Sequence, residues 1–337
     1  MWVGSRKHSK RWRGEGPLCC QAKWQHGRID KVLKPFHSGK VRDMYDLGDD
    51  LLAMVASDRI SAFDVILPQP VPDKGRVLTA MSVFWFETLA DLAPNHFVSA
   101  DPQFIAKVLA GAASRSPAKE SGGGGNPFSD AAGRMMLVKR AGMLPIECIV
   151  RGYLAGSAWK EYVCEGTINR TPMPEGLVLG SRLPEPMFTP TTKAEVGHDQ
   201  NITFDEAANM VGSEVAALAR DLSLAAYSQA ADVTAQKGFI LADTKFELGF
   251  IGGDLCLADE VVTPDSSRLW MQENWTEGED PPAYDKQPVR DWLEAVGWDK
   301  LPPPPDLPPE VVEETTRRYT TAYEIISGRH LTDWYGA

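Results

Sequence analysis

The chain has 337 residues, of which 43% are hydrophobic and 24% charged, and its net charge is −11. This is the balance of a soluble globular protein with about two domains or two lobes. An acidic body disfavours nonspecific nucleic-acid binding, and no apolar run approaches the roughly 18 residues of a membrane span. The five cysteines (Cys19, Cys20, Cys148, Cys164 and Cys256) show no C-x-x-C spacing. They argue against a disulfide framework or a zinc site and for a reducing, cytoplasmic setting.

Residues 1–30 differ from the rest. Seven Lys or Arg face only Glu15 and Asp30 there, so the remaining chain is more acidic than the whole. The segment lacks periodicity and the apolar stretch of a signal peptide. It reads as a disordered basic extension in preference to a nucleic-acid-binding arm. Any anionic ligand of the body must then be held by a local basic cluster.

VRDMYDL and LLAMVAS, separated by GDD, predict a β-hairpin. Just before it, HSGKVRD places Gly39, Lys40 and Arg42 at a strand start. Gly39 lets the backbone approach a phosphate and Lys40 adds a charge, although a plain turn fits the same residues. ASDRISAFD crowds Asp58, Arg59, Ser61 and Asp64 at a strand end. Arg59 there suits a carboxylate or phosphate, or an internal Arg–Asp pair that ties down a loop. Leu78, Met81, Val83, Trp85, Leu89 and Leu92 predict a helix over 77–92. Residues 111–133 are rich in Gly, Ser and Pro and predict a mobile insertion.

RMMLVKRAGMLPIECIVRGYLAGS predicts two strands around a turn near Gly142–Pro145. Arg151, Gly152, Gly156 and Ser157 combine small residues with one guanidinium and one hydroxyl, which suits an anion pressed against backbone. FTPTTKAEVGHDQNI puts Lys193, His198 and Asp199 in a turn-rich segment. Thr203 and Glu206 have capping-box spacing, and the apolar positions Met210, Val211, Val215, Leu218 and Leu222 predict one long helix ending at Lys237–Gly238.

The next stretch, FILADTKFELGF, alternates. Ile240, Ala242, Phe246, Leu248 and Phe250 fall on one face, and Asp243, Lys245 and Glu247 on the other. A hairpin around GGD follows. A three-residue loop sets Asp259 directly opposite Glu247, whereas a two-residue loop puts Glu260 on the charged face. Opposed carboxylates about 5 Å apart repel. A divalent cation relieves this, and Mg²⁺ takes one or two carboxylates plus phosphate oxygens. A solvated face with Lys–Glu pairing is the alternative. TPDSSRLW adds Arg268, and DKQPVRDWL adds Lys286, Gln287 and Arg290. PPPPDLPP reads as a stiff linker before a terminal amphipathic helix over 310–327, packed through Val311, Val312, Tyr319, Tyr323 and Ile326. Together these segments point to two anion sites: one of metal, carboxylate and lysine for a polyphosphate, and one rich in arginine for a phosphorylated or carboxylated substrate.

GKVRDMY, ASDRISAFD, PIECIVRGYLAGSAWKEY, FTPTTKAEVGHDQNI, ILADTKFELG, LADEVVTPDSSRLW and DKQPVRDWL occur in this order. They strongly resemble the phosphoribosylaminoimidazole-succinocarboxamide synthase (SAICAR synthetase) family, from Ser38 to the C-terminal helix and excluding 111–133. The resemblance implies an α+β, two-lobed fold with a kinase-like or ATP-grasp-like nucleotide site between lobes. The N-terminal lobe would span 31–140 and the C-terminal lobe 141–337. It implies an ATP-dependent ligase of purine biosynthesis, joining L-aspartate to the carboxylate of carboxyaminoimidazole ribonucleotide with release of ADP and phosphate. Its partners would be those small molecules and Mg²⁺, with no nucleic acid and no membrane, and the chain would be a monomer. A kinase-like small-molecule phosphotransferase is the runner-up.

Carried over residue by residue, Lys245, Lys193 and Asp243 look like catalytic groups. Gly39, Lys40, Arg42, Lys139, Met143, Glu247 and Asp259 look like nucleotide contacts, with the Lys139–Met143 stretch as inter-lobe hinge and Glu247 and Asp259 as Mg²⁺ ligands. Asp58, Arg59, Ser61, Arg151, Ser157, Arg268, Gln287 and Arg290 look like substrate contacts. Ala158 stands where the family has Gly, Pro288 where it has an aromatic, and Leu248 where it has Phe. Pro288 removes a backbone donor beside Gln287.

Overall fold

The computed structural model describes residues 35–63, 65–114, 131–193 and 199–335. The extension 1–30, residues 115–130 of the insertion, Asp64 and His198 lie outside them. The chain begins with β1 (His37–Ser38), β2 (Arg42–Gly48) and β3 (Leu51–Ala56). Asp49 and Asp50 turn β2 into β3 with φ of 51° and 57°. Two positive φ values match the twist of the flanking strands, so the hairpin forms where GDD placed it. A small pair, β4 (Ser61–Ala62) and β5 (Val65–Ile66), precedes α1 (Lys74–Thr88), β6 (Phe97–Ser99), α2 (Pro102–Ser114) and β7 (Met135–Lys139). The first sheet has the order β1-β2-β3-β7-β6, with every pairing antiparallel. α1 starts before the predicted position 77 and stops at Thr88, leaving Leu92 exposed.

The insertion is shorter at both ends than its composition indicated. α2 takes up 111–114. At the other end Ala131 is buried, and the Trp334 indole N–H donates to the Gly133 carbonyl at 2.8 Å.

Residues 140–141 carry the chain from the first sheet into a second. The second sheet and its surroundings hold β8 (Gly142–Met143), β9 (Ile146–Tyr153), α3 (Gly156–Glu165), β10 (Thr167–Ile168), β11 (Thr171–Pro172), β12 (Arg182–Phe188) and β13 (Thr191–Thr192). There follow α4 (Phe204–Val211), α5 (Ser213–Gln236), β14 (Phe239–Ile251), β15 (Asp254–Ala258), β16 (Ser267–Met271), α6 (Gln287–Ala295) and α7 (Pro309–Ser327). β14 is the spine: one edge pairs with β16 and then β15, the other with β9 and then β8. The antiparallel ladders and segregated helices are those of an α+β fold.

The capping box forms as read: Thr203 Oγ1 accepts from the Glu206 N–H at 3.2 Å and Glu206 accepts from the Thr203 N–H at 2.7 Å. The single long helix does not. Gly212, at φ 90° and ψ 144°, breaks it into α4 and α5. Nor does α5 bury all of its expected apolar positions: Val215 and Leu222 are only partly buried against the core. Leu218 is exposed, and the inward stripe is Ala216, Ala219, Ser223, Ala226, Tyr227, Ala230 and Thr234. Small residues let α5 lie close on β9 and β14. A Cβ at Gly152 would come within 2.0 Å of the Tyr227 hydroxyl oxygen, which donates to the Leu241 carbonyl at 2.6 Å.

β14 also departs from simple alternation. Leu241 pairs with Leu269 and Asp243 with Arg268, so Ala242 is an extra residue, a β-bulge. Phe239, Leu241, Phe246 and Leu248 join the main core, whereas Ile240 and Ala242 pack separately with Ala155 and Trp270. The apolar face expected through 240–250 therefore begins only after the bulge. At the other end of the chain, α7 buries Tyr319, Tyr323 and Ile326 as expected, while Val311 and Val312 are half-buried beside Val289 and Leu293 of α6. Pro288 is the second residue of α6, where a backbone N–H has no intrahelical acceptor, so its missing donor costs the helix nothing.

His96 ties the two sheets together. Its N–H donates to the Leu257 carbonyl at 3.1 Å, and its own carbonyl accepts from Lys139 at 2.7 Å. The ring lies against Phe86, and burial pushes its pKa down from 6.5 to about 4. The unfolded chain takes up this proton near pH 6.5 and the folded chain only near 4. Stability on the order of 3 kcal/mol is therefore lost as pH falls through that window. Urea melts between pH 7 and 4 should show this loss, and His96→Gln should flatten it. A second expectation concerns α5: Gly152→Ala should destabilise by about 1–3 kcal/mol through overpacking against Tyr227, read from the denaturation midpoint.

Candidate active site

The charged face of β14 carries the site. β9 runs beside it with Asp243 opposite Arg151 and Lys245 opposite Ile149. Continuing that register sets Glu247 opposite Glu147. Two carboxylates are therefore opposed across neighbouring strands, but the partner is Glu147. Asp259 is not opposite Glu247: the hairpin turns on Gly252 and Gly253 alone, and Glu247 pairs with Ala258. The two-residue alternative is the one adopted, because both glycines take the positive φ that a tight hairpin needs.

Each carboxylate has a cation. Lys245 Nζ meets Glu147 at 2.5 Å, and Lys193 pairs with Glu247. Glu147 is buried and also accepts from Thr191 Oγ1 at 3.2 Å. Burial works against the Lys245 charge, but Glu147, Glu247 and Asp259 together push its pKa up. Asp259 and Glu260 both turn to Arg42, whose guanidinium lies 2.9 Å from Asp259 Oδ2. Despite burial, these two carboxylates hold Arg42 firmly charged. Asp259 itself stands at φ 56°, so the chain leaves the ladder there and swings both carboxylates toward the first sheet.

About 7 Å along β14 from Lys245, two residues back, lies a second cluster. Asp243 Oδ2 is 3.0 Å from Arg151 and 3.3 Å from Arg268. Arg151 also donates to Ser157 Oγ and Thr189 Oγ1, both at 3.1 Å. A Cβ on Gly156 would meet the Arg268 guanidinium at 2.5 Å, so only glycine lets Arg268 lie against the start of α3. Burial lowers the Arg151 pKa and Asp243 works against that; for Arg268 burial also works against the charge, but Asp243, Asp285 and Asp280 together push its pKa up. Two arginines beside a helix N-terminus suit a phosphate. Ala158 is buried in the first turn of α3, where its methyl group packs with Leu154, Ile168 and Leu183.

The remaining residues are placed less centrally. Gly39 and Lys40 form the β1–β2 turn, where Arg59 donates to both their carbonyls and pairs with Asp43 at 3.1 Å. Arg59 thus takes the loop-tying role. Asp58 accepts from the Gly75 N–H at 2.8 Å at the start of α1, and Ser61 is buried in β4. Arg290 pairs with Asp285 at 3.0 Å and donates to Gln287. Lys139 and Met143 flank the crossing between sheets and are exposed. Sequence reasoning missed Glu147, Glu260 as a partner of Arg42, and a buried pair of Lys74 and Asp265. The PIEC run held Glu147 in plain view, but nothing local announced its partner.

Glu147→Gln should lower the Lys245 pKa, because the nearest opposing charge is removed. Amine-selective acylation at pH 9, read by peptide mass spectrometry, should then label Lys245 faster than in the wild type.

A family profile described as SAICAR synthetase matches residues 35–305. The phosphoribosylaminoimidazole-succinocarboxamide synthase of Desulfosudis oleivorans is 48% identical over 292 residues, covering 86% of this chain and 94% of that protein. That of Streptomyces coelicolor is 50% identical over 304 residues, covering 88% and 94%. The solved SAICAR-synthase from Saccharomyces cerevisiae complexed with SAICAR superposes with a TM-score of 0.79 at 38% identity, covering 91% of this chain and 98% of that one. The chain belongs to the SAICAR synthetase family.

Proposed function

We infer that this chain condenses L-aspartate with carboxyaminoimidazole ribonucleotide at the expense of ATP, giving the succinocarboxamide, ADP and phosphate. One observation carries the reading beyond family membership. A single strand face presents Lys245 among three carboxylates and, two residues away, Asp243 between Arg151 and Arg268. This arrangement supports reading a phosphate-and-metal site and an anion site side by side on rigid sheet.

The chemistry needs both. A carboxylate and an amine do not condense unaided, because the leaving oxygen is poor. Transfer of the γ-phosphoryl group to the imidazole carboxylate breaks the β–γ P–O bond and releases ADP. The aspartate amine then attacks the acyl carbon, the C–O bond to phosphate breaks, and the nitrogen loses its proton. Such transfer asks for positioning and charge neutralisation. Lys245 and Lys193 are placed to neutralise the moving phosphoryl group. Arg151 and Arg268, with Ser157 at the start of α3, are placed to hold the ribonucleotide, and Asp243 keeps both guanidiniums aimed.

Glu247 and Asp259 fit Mg²⁺: both offer hard oxygen donors and both sit within electrostatic reach of Lys245. Mg²⁺ takes one or two carboxylates and completes its shell with phosphate oxygens and water. Bound there, Mg²⁺ would neutralise the nucleotide phosphates. The nucleotide itself is assigned to the junction between the sheets, against the β1–β2 turn and the Lys139–Met143 crossing.

Omitting each substrate in turn tests the reaction. ADP and succinocarboxamide should form one for one only with all three present, whereas ADP release independent of aspartate would favour a phosphotransferase. Glu247→Gln should nearly abolish ADP release with an unchanged circular-dichroism spectrum, and near-normal turnover would sink the metal assignment.

A further inference from the structure

One group of buried charges has no part in this chemistry. Lys74 opens α1 with its side chain 0% exposed, and its Nζ lies 2.7 Å from Asp265 Oδ2, whose side chain is 2% exposed. Asp265 Oδ1 accepts from the Tyr319 hydroxyl of α7 at 2.6 Å. Lys286, just before α6, stands 3.6 Å from the same carboxylate. One carboxyl group is thus gripped by α1, α7 and the lead-in to α6.

Stability alone is a poor account of this arrangement. A cation at the start of a helix opposes the macrodipole. A buried ion pair pays for desolvation that a well-packed apolar pair avoids. What the pair does hold is a loop. Asp265 lies in residues 259–266, which join β15 to β16. The loop begins with Asp259 and Glu260 on Arg42 and ends at Ser266, whose carbonyl accepts from the Lys245 N–H at 2.9 Å. Arg268 follows two residues later. Within the loop, Glu260 accepts from Thr263 Oγ1 at 2.5 Å, the Thr263 N–H donates to Ser266 Oγ at 3.1 Å, and the Ser266 N–H donates back to the Thr263 carbonyl at 3.1 Å. The loop is internally braced, and Asp265 is where it is fastened to the helices. It is also the covalent link between the nucleotide-side carboxylates and the substrate-side arginine.

We propose that Lys74 and Asp265 are positioning residues for the reaction: their sealed ion pair, completed by Tyr319, fixes the 259–266 loop so that Asp259 and Arg268 serve their two ligands from one rigid frame. The proposal rests on the functional reading above and adds residues that touch neither ligand. Lys74→Met with Asp265→Asn removes both charges while keeping the side-chain shapes close to the original. This double variant should melt within a few degrees of the wild type, yet bind Mg–ATP at least tenfold more weakly by equilibrium titration. Its KM for the ribonucleotide should rise by a similar factor. Tyr319→Phe keeps the ring and deletes one hydrogen bond; it should raise both constants about threefold at unchanged fold.

The proposal is overturned if Tyr319→Phe, folded by circular dichroism, binds Mg–ATP and ribonucleotide as the wild type does. It is overturned equally if a folded double variant does so. Should the double variant fail to fold, Tyr319→Phe decides alone. A wild-type protein that binds Mg–ATP but makes no succinocarboxamide defeats the functional reading instead, and the binding titration still judges the loop.

Discussion

The bulge at Ala242 is the constraint on which the rest of the site depends. β14 supplies both the centre of the second sheet and the charges of the site. Without the extra residue, Asp243, Lys245 and Glu247 would share a face with Phe239 and Leu241 and point into the core. With it, the phase of the strand changes once, and the three charges turn out while Phe246 and Leu248 turn in. Bulges near active sites commonly re-aim side chains in this way. Here the device also places Asp243 between two arginines from opposite edges of the strand, Arg151 on β9 and Arg268 on β16.

Electrostatics then work locally against an acidic whole. The five carboxylates around β14 have basic partners: Glu147 with Lys245, Glu247 with Lys193, Asp259 and Glu260 with Arg42, and Asp243 with two arginines. Pairs with exposed members, such as Lys193 with Glu247, contribute little to stability. Their value lies in exchangeability. On the function proposed above, a metal–nucleotide complex would bring both a cation for the carboxylates and an anion for the lysines, so both halves of a pair would find new partners together. The Lys74–Asp265 pair is of another kind, sealed from solvent and unable to exchange.

Packing makes this precision affordable. The alanine stripe of α5 brings the helix close under β9 and β14, and Gly152 and Tyr227 set that distance. Gly156 does the same for Arg268 at the start of α3. At both positions the absence of a side chain serves a residue distant in sequence, Tyr227 at Gly152 and Arg268 at Gly156.

Local chemistry was readable from the residues alone: the β2–β3 hairpin, the capping box at Thr203, the charged face of β14, and through its long motifs the family. These depend on neighbours within a few positions, where φ preferences, capping and alternation act directly. The sequence left the hairpin register open between two loop lengths, missed the break at Gly212, and placed Ile240 and Ala242 on the wrong cluster. It could not announce that Glu147 lies opposite Glu247, or that Lys74 meets Asp265 across 191 positions. Such pairings are set by strand register and helix docking, which are decided by the summed burial of the whole core. No single stretch carries that sum, so only the tertiary structure decides which charges face one another.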